Sequence, residues 1–127
     1  MTSLQIAIRE SGDVAILDLS GNWTIDDCES ESLRRHIRCL QEMATNGVRK
    51  FLLNLADLAQ IDSSGVSAIV RTYRSLRDQG CDLSLLRPNG HALEVFKVLH
   101  LLEMIPSFEN ENLALASFGL VRDFAKT

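Results

Sequence analysis

The sequence lacks most of the features that mark specialised chains. It has no apolar run long enough to span a bilayer. It has two prolines and no proline-rich linker, low-complexity tract or internal repeat. Its three cysteines, Cys28, Cys39 and Cys81, are odd in number and lack the close spacing of a zinc or redox motif. His36, His91 and His100 form no metal-ligand pair of the His-x-x-x-His kind. No metal site and no cofactor are expected. The basic excess of a nucleic-acid binder is also missing. Thirteen Lys and Arg stand against seventeen Asp and Glu, a net charge of −4. Direct nucleic-acid binding favours the opposite sign. The opening residues Met1 to Gln5 lack the basic and apolar regions of a signal peptide. The expected location is the cytoplasm, without membrane insertion. There the cysteines are read as free thiols acting as small semi-buried hydrophobes.

What is present is ordinary for a globular protein. The chain has 127 residues, 46% apolar and 24% charged. That length fits one domain, residues 1–127, which needs no metal or disulfide staple.

Leu4, Ile6 and Ile8 alternate with Gln5, Ala7 and Arg9, the period of a half-buried strand. A turn cluster, Glu10 to Asp13, leads into a second strand, Val14 to Leu19, with Ala15, Leu17 and Leu19 on one face. The pair reads as a hairpin. Gly21 is expected to end it, and a polar, acidic stretch follows from Asn22 to Ser32. Leu33, Ile37, Leu40 and Ala44 then share one helical face, with Asn46-Gly47 as the stop. Phe51 to Leu55 is a continuous apolar run, the signature of a strand covered on both sides, with a loop expected at Asp57 to Gln60. A second helix starts after Asp62-Ser63-Ser64-Gly65 and carries the stripe Val66, Ile69, Val70, Tyr73, Leu76. Asp82 to Leu86 is a fourth strand, and a third helix is predicted from about His91 to Leu99, burying Leu93, Phe96 and Leu99 or their neighbours. A short strand ending near Pro106 and a last helix capped by Asn110, with Ala114, Phe118 and Val121 on one face, complete the order. The expected fold is α/β: a mixed, mostly parallel sheet with an N-terminal hairpin, about five strands and four helices.

Function in such sheets gathers at the carboxyl ends of parallel strands. The most polar junction of that kind is Asp62-Ser63-Ser64-Gly65. By spacing alone it is a helix cap. It is not a nucleophile elbow, because Ile61 stands two residues before Ser63 where glycine is required. No serine–histidine–aspartate set and no phosphate-cradling glycine loop can be assembled. No catalytic residue is therefore assigned, and a small hydrolase is the weakest of the functional readings.

The run Asn54-Leu55-Ala56-Asp57-Leu58-Ala59-Gln60-Ile61-Asp62-Ser63-Ser64-Gly65-Val66 resembles the central signature of STAS domains. It is most similar to the bacterial anti-sigma factor antagonists. The resemblance extends over about Leu4 to Val121 and includes Gly80, Val95 to Leu99 and Glu111 to Phe118. It implies a switch rather than a catalyst. In that family the serine after the aspartate, Ser63 here, is phosphorylated by a kinase that is also an anti-sigma factor. The unphosphorylated antagonist binds the kinase; phosphorylation disrupts binding, and a serine phosphatase restores it. Asp62, Ser64 and Gly65 belong to the same recognition loop. The segment Asn22-Trp23-Thr24-Ile25-Asp26-Asp27 departs from the family pattern and is slightly longer. Trp23, the sole tryptophan, is either a lid on the sheet or an interface anchor. Helical periodicity alone points Ser64 outward and leans Ser63 toward the apolar stripe, so Ser64 stands as the secondary phosphorylation candidate. The alternative function is a non-switching STAS scaffold, a subunit of a transporter or signalling assembly.

Overall fold

The computed structural model describes residues 4–24 and 31–126. Cys28 and the Ile25 to Asp27 part of the departing segment lie outside the described residues, as do the side chains of Leu33 and Val121. The strands are β1 (Gln5–Ser11), β2 (Val14–Trp23), β3 (Lys50–Ile61), β4 (Asp82–Leu86) and β5 (Ser107–Phe108). The described helices are α1 (Glu31–Thr45), α2 (Ser63–Asp78), α3 (Gly90–Val98), α4 (Leu101–Met104) and α5 (Glu111–Lys126). The five strands form one sheet in chain order, β1-β2-β3-β4-β5. β1 and β2 are antiparallel. Every other neighbouring pair is parallel. This is the mixed sheet with an opening hairpin that the alternation of patterns predicts.

Strand periodicity sorts the core into two faces. Ala15, Leu17 and Leu19 of β2 join Phe51, Leu53 and Leu55 of β3 and Leu83 and Leu85 of β4. They pack with Leu40 and Ala44 of α1, Val66, Ile69 and Leu76 of α2, and Ala92 and Phe96 of α3. The residues between them, Val14, Ile16, Leu52 and Leu86, face the other way and meet Ala114 and Phe118 of α5. The continuous apolar run in β3 is thus explained: both of its faces are covered.

Four expectations are corrected. β2 does not stop at Gly21 but continues to Trp23. β3 does not give way to a loop at Asp57 but runs to Ile61. The two extensions pair with each other, Gly21 with Leu58 and Trp23 with Ile61, across two register shifts. Gly21, at φ 86°, supplies the left-handed backbone that one shift requires. Bulges break period-two alternation, so the sequence pattern fades where the strands continue. The short strand near Pro106 follows that proline rather than ending at it, and Leu101–Met104 is a helical turn. In α3, Ala92 and Phe96 are the buried pair, while Leu99 is 46% exposed.

One polar network ties the hairpin to α5. Arg9 of β1 donates to Asp18 of β2 at 2.7 Å and to Glu111 in the first turn of α5. Asn54 of β3 donates to the same Asp18 carboxylate at 2.7 Å. Burial alone would raise the Asp18 carboxyl, but the bonds from Arg9 and Asn54 outweigh it and hold the group below its ordinary value. A carboxylate depressed on folding stabilises the fold fully above its unfolded value of about 3.9. That contribution is lost as pH falls through the folded value. Arg9 and Asp18 are each a third or more exposed, so screening keeps the effect near or below about 1 kcal/mol. Urea melts of wild type and Asp18→Asn should differ more at pH 6 than at about pH 3, by this linkage. Curves that stay equally far apart at both pH values would remove the ion pair as the cause.

Candidate functional site

The site lies where the extended β2 and β3 end together. Asp62 follows the last residue of β3 and is the N-cap of α2, with extended backbone at φ −111°. Its Oδ1 accepts from the backbone N–H of Ser64 at 2.9 Å and of Gly65 at 3.1 Å. Its carbonyl accepts the first helical bond, from Val66 N–H at 3.0 Å. The aspartate side chain thereby satisfies two of the donors that a helix start leaves open, an arrangement worth about 1 kcal/mol. The cap that spacing predicts is present.

The aspartate is itself held. Its N–H donates to the Trp23 carbonyl at 3.2 Å, which ties the end of β2 to the mouth of α2. Gly65 sits against that same carbonyl. A Cβ built there would lie 2.6 Å from Trp23 O and 2.6 Å from Ile61 Cγ1. The helix start is pressed onto the strand ends, and only glycine permits the approach. The Trp23 side chain is 4% exposed and belongs to the main core. Of the two roles left open for it, burial supports the lid over the sheet.

The two serines differ in the sense opposite to the helical wheel. Ser63 is exposed, whereas Ser64 is half-buried. Ser63 is the first residue of α2, where the wheel fails because the chain is still leaving the strand. Among the described residues the Ser63 side chain makes no hydrogen bond, so its hydroxyl is open to an incoming reagent.

Sequence reasoning missed one neighbour. His91, which the sequence marks only as no metal ligand, places Nε2 3.0 Å from the Ile61 carbonyl. A carbonyl only accepts, so this nitrogen carries the proton. Asn89 bonds the Arg87 carbonyl at 2.8 Å and holds the turn that delivers α3. The available signal was topological: β3 and β4 are parallel neighbours, so the residues following each strand emerge side by side. Among the described residues no group of three or more His, Cys, Asp or Glu side chains could hold a metal. Cys39 and Cys81 are free thiols, Cys81 buried. Among the described residues no helix is long and apolar enough to cross a membrane.

A mixed sheet entered by a hairpin, with an aspartate-capped helix bearing a free hydroxyl at the carboxyl end of its central strand, defines a STAS-type α/β domain. The STAS domain family model matches residues 5–114, and the chain belongs to that family. A putative anti-sigma factor antagonist from Thermotoga maritima superposes with a TM-score of 0.75 at 20% identity, over 88% of this chain and 92% of that one. The Bacillus cell fate determinant SpoIIAA in its phosphorylated form gives 0.63 at 20% identity, over 91% of this chain and 99% of that one. At such identities the likeness is one of fold. Low affinity sulfate transporter 3 of Stylosanthes hamata is 24% identical over 66 residues, 52% of this chain. The aligned part amounts to 10% of the length of that transporter.

Proposed function

We propose that this chain is an anti-sigma factor antagonist-like regulator, switched by phosphorylation of Ser63. In this reading it is a binding protein and not an enzyme. It acts in the cytoplasm, where an anti-sigma serine kinase modifies it and a serine phosphatase restores it. The observation that carries the reading is the exposed, unbonded Ser63 hydroxyl at a rigidly capped helix mouth. A kinase must reach a hydroxyl without unfolding its substrate. Asp62 and Gly65 fix the backbone on either side, so the hydroxyl is presented by a preformed loop. Ser64 remains the secondary site, since its backbone N–H is already engaged by Asp62 and its side chain is half-buried.

The test is covalent. With ATP and an anti-sigma kinase from the same genome, the protein should gain one phosphate, mapped by peptide mass to Ser63. Ser63→Ala should gain none. Undiminished labelling of Ser63→Ala would transfer the site to Ser64 or end the proposal.

The match to a sulfate transporter supports a second reading, a STAS scaffold docked in a larger assembly that does not use the serine. There the Ser63→Ala and Ser63→Asp variants would bind the assembly equally well.

A further inference from the structure

The two edges of the sheet are built differently. One ends in β5, two residues long and entered through Pro106, which has no N–H to offer. Short strands and proline are the usual guards against edge-to-edge pairing. The other edge is β1, seven residues in unbroken register with β2 from Gln5↔Ser20 to Ser11↔Val14. β1 contains no proline, no lysine and no bulge. Its one cation, Arg9, is drawn back onto its own chain by Asp18 and Glu111. With Glu10 beside it, the strand carries no net charge in a chain whose total is −4.

The hairpin settles which backbone groups face outward. Ser11 and Val14 flank the two-residue turn Gly12-Asp13. The pair that closes such a turn is hydrogen-bonded, and bonded pairs alternate along an antiparallel ladder. Ser11, Arg9, Ala7 and Gln5 therefore bond to β2. Ile8 and Ile6 direct their N–H and C=O groups away from it.

We propose that the outer edge of β1 is the self-association surface of this protein, pairing antiparallel with β1 of a second copy about a two-fold axis at Ala7. In that register Ile6 lies opposite Ile8 of the second copy, and the reverse pair repeats it. The outward groups of those residues then exchange about four hydrogen bonds. Ile6 and Ile8, half-buried against the main core, cover each other's exposed remainder. On the opposite face Gln5 meets Arg9 of the second copy. At the axis Ala7 faces its own copy in a non-bonded pair, where side chains come closest and a small one is needed. A one-residue slip would set the apolar face of one strand against the polar face of the other. The occupant is a second copy because the strand is complementary to itself in this register. The joined edges give a continuous ten-stranded sheet, from five strands in each copy. The two Asp62–Gly65 loops then stand at opposite ends and both remain open. One strand pair buries less than the roughly 1,200–2,000 Å² of a permanent interface, so the dimer is reversible.

Sedimentation velocity from about 1 to about 200 μM, a range suited to an interface of this size, should show a monomer–dimer equilibrium. Ala7→Lys, at an exposed position, sets two cations face to face and should weaken the dimer about tenfold or more, with an unchanged thermal melt. Ala7→Cys should form a reducible dimer under mild oxidation, because a non-bonded pair has its Cα atoms within disulfide reach. Wild type and Glu10→Cys should not. A monomer throughout the range with no Ala7→Cys cross-link overturns the proposal. So does a dimer that Ala7→Lys leaves intact.

Discussion

Gly65→Ala is expected to destabilise the domain by about 2 kcal/mol or more, although it places the best helix former inside a helix. In an open helix the change would stabilise by up to about 1 kcal/mol. Here the new methyl meets the Trp23 carbonyl oxygen and Ile61 Cγ1, each at 2.6 Å. The isoleucine can rotate, but the carbonyl cannot retreat. It is fixed by the bond it accepts from Asp62 N–H and by the pairing of Trp23 with Ile61 in the sheet. Relief requires α2 to lift from the strand ends, which loosens the Asp62 cap as well. Overpacking of this kind costs about 1–3 kcal/mol, and the backbone partner puts this case at the upper end. Gly65→Val should lose more still. Ser67→Ala, on the exposed side of the same helix, should stay within about 0.5 kcal/mol of wild type. Urea melts of the three variants decide the matter. A Gly65→Ala protein as stable as wild type would mean that the helix mouth is not pressed against β2.

Under the proposed switch, Ser63→Asp should fold normally and lose kinase binding by about a hundredfold or more. The geometry explains why fold and binding separate. A phosphoserine adds about −1.5 to −2 charge at pH 7. At a helix start that charge would ordinarily be stabilised by free N–H groups and the dipole, by about 0.3–1 kcal/mol. In this helix the N–H groups of Ser64 and Gly65 are already bonded to the Asp62 carboxylate, and that of Val66 to the Asp62 carbonyl. The new charge finds little left to bind and a carboxylate next to it. Ser63 is exposed, so water solvates the charge in the free protein and stability should move by no more than about 1 kcal/mol. A partner surface fitted to a neutral hydroxyl removes that water, and an uncompensated buried charge costs several kcal/mol. Ser63→Ala should fold and still bind. Calorimetric titration with denaturant melts of both variants tests this. Unfolding of Ser63→Asp would make the serine a structural element; undiminished binding would remove it as the switch.

The two kinds of sequence signal differ in reach. Regular periodicity carries β1, α1 and α2, because in each one face packs on the core and the pattern is uninterrupted. The face of Ala15, Leu17 and Leu19 and the buried pair Ala114 and Phe118 follow from the same rule. The pattern fails at Gly21 and at Asp57 to Gln60, where bulges let paired strands continue through polar residues. It fails at Leu101–Met104, where one turn is too short to show a period. At the site, the aspartate cap is local chemistry and reads directly. The link from His91 to Ile61 spans 30 positions and exists only because β3 and β4 are parallel neighbours. The need for glycine at position 65 is equally nonlocal, since the atom that forbids a side chain belongs to Trp23.

Trp23 also makes the molecule its own optical gauge. It is the sole indole in the chain, it is buried, and among the described residues its Nε1 has no hydrogen-bond partner. An indole so shielded emits toward the blue, and its quantum yield responds to the nearest polar groups. Its own backbone carbonyl grips the amide of Asp62, one residue before Ser63. Any event that shifts the capping loop therefore perturbs the ring's surroundings, without a label and without competing signal from another tryptophan. Ultraviolet emission can follow the loop in real time as it is modified, bound or released.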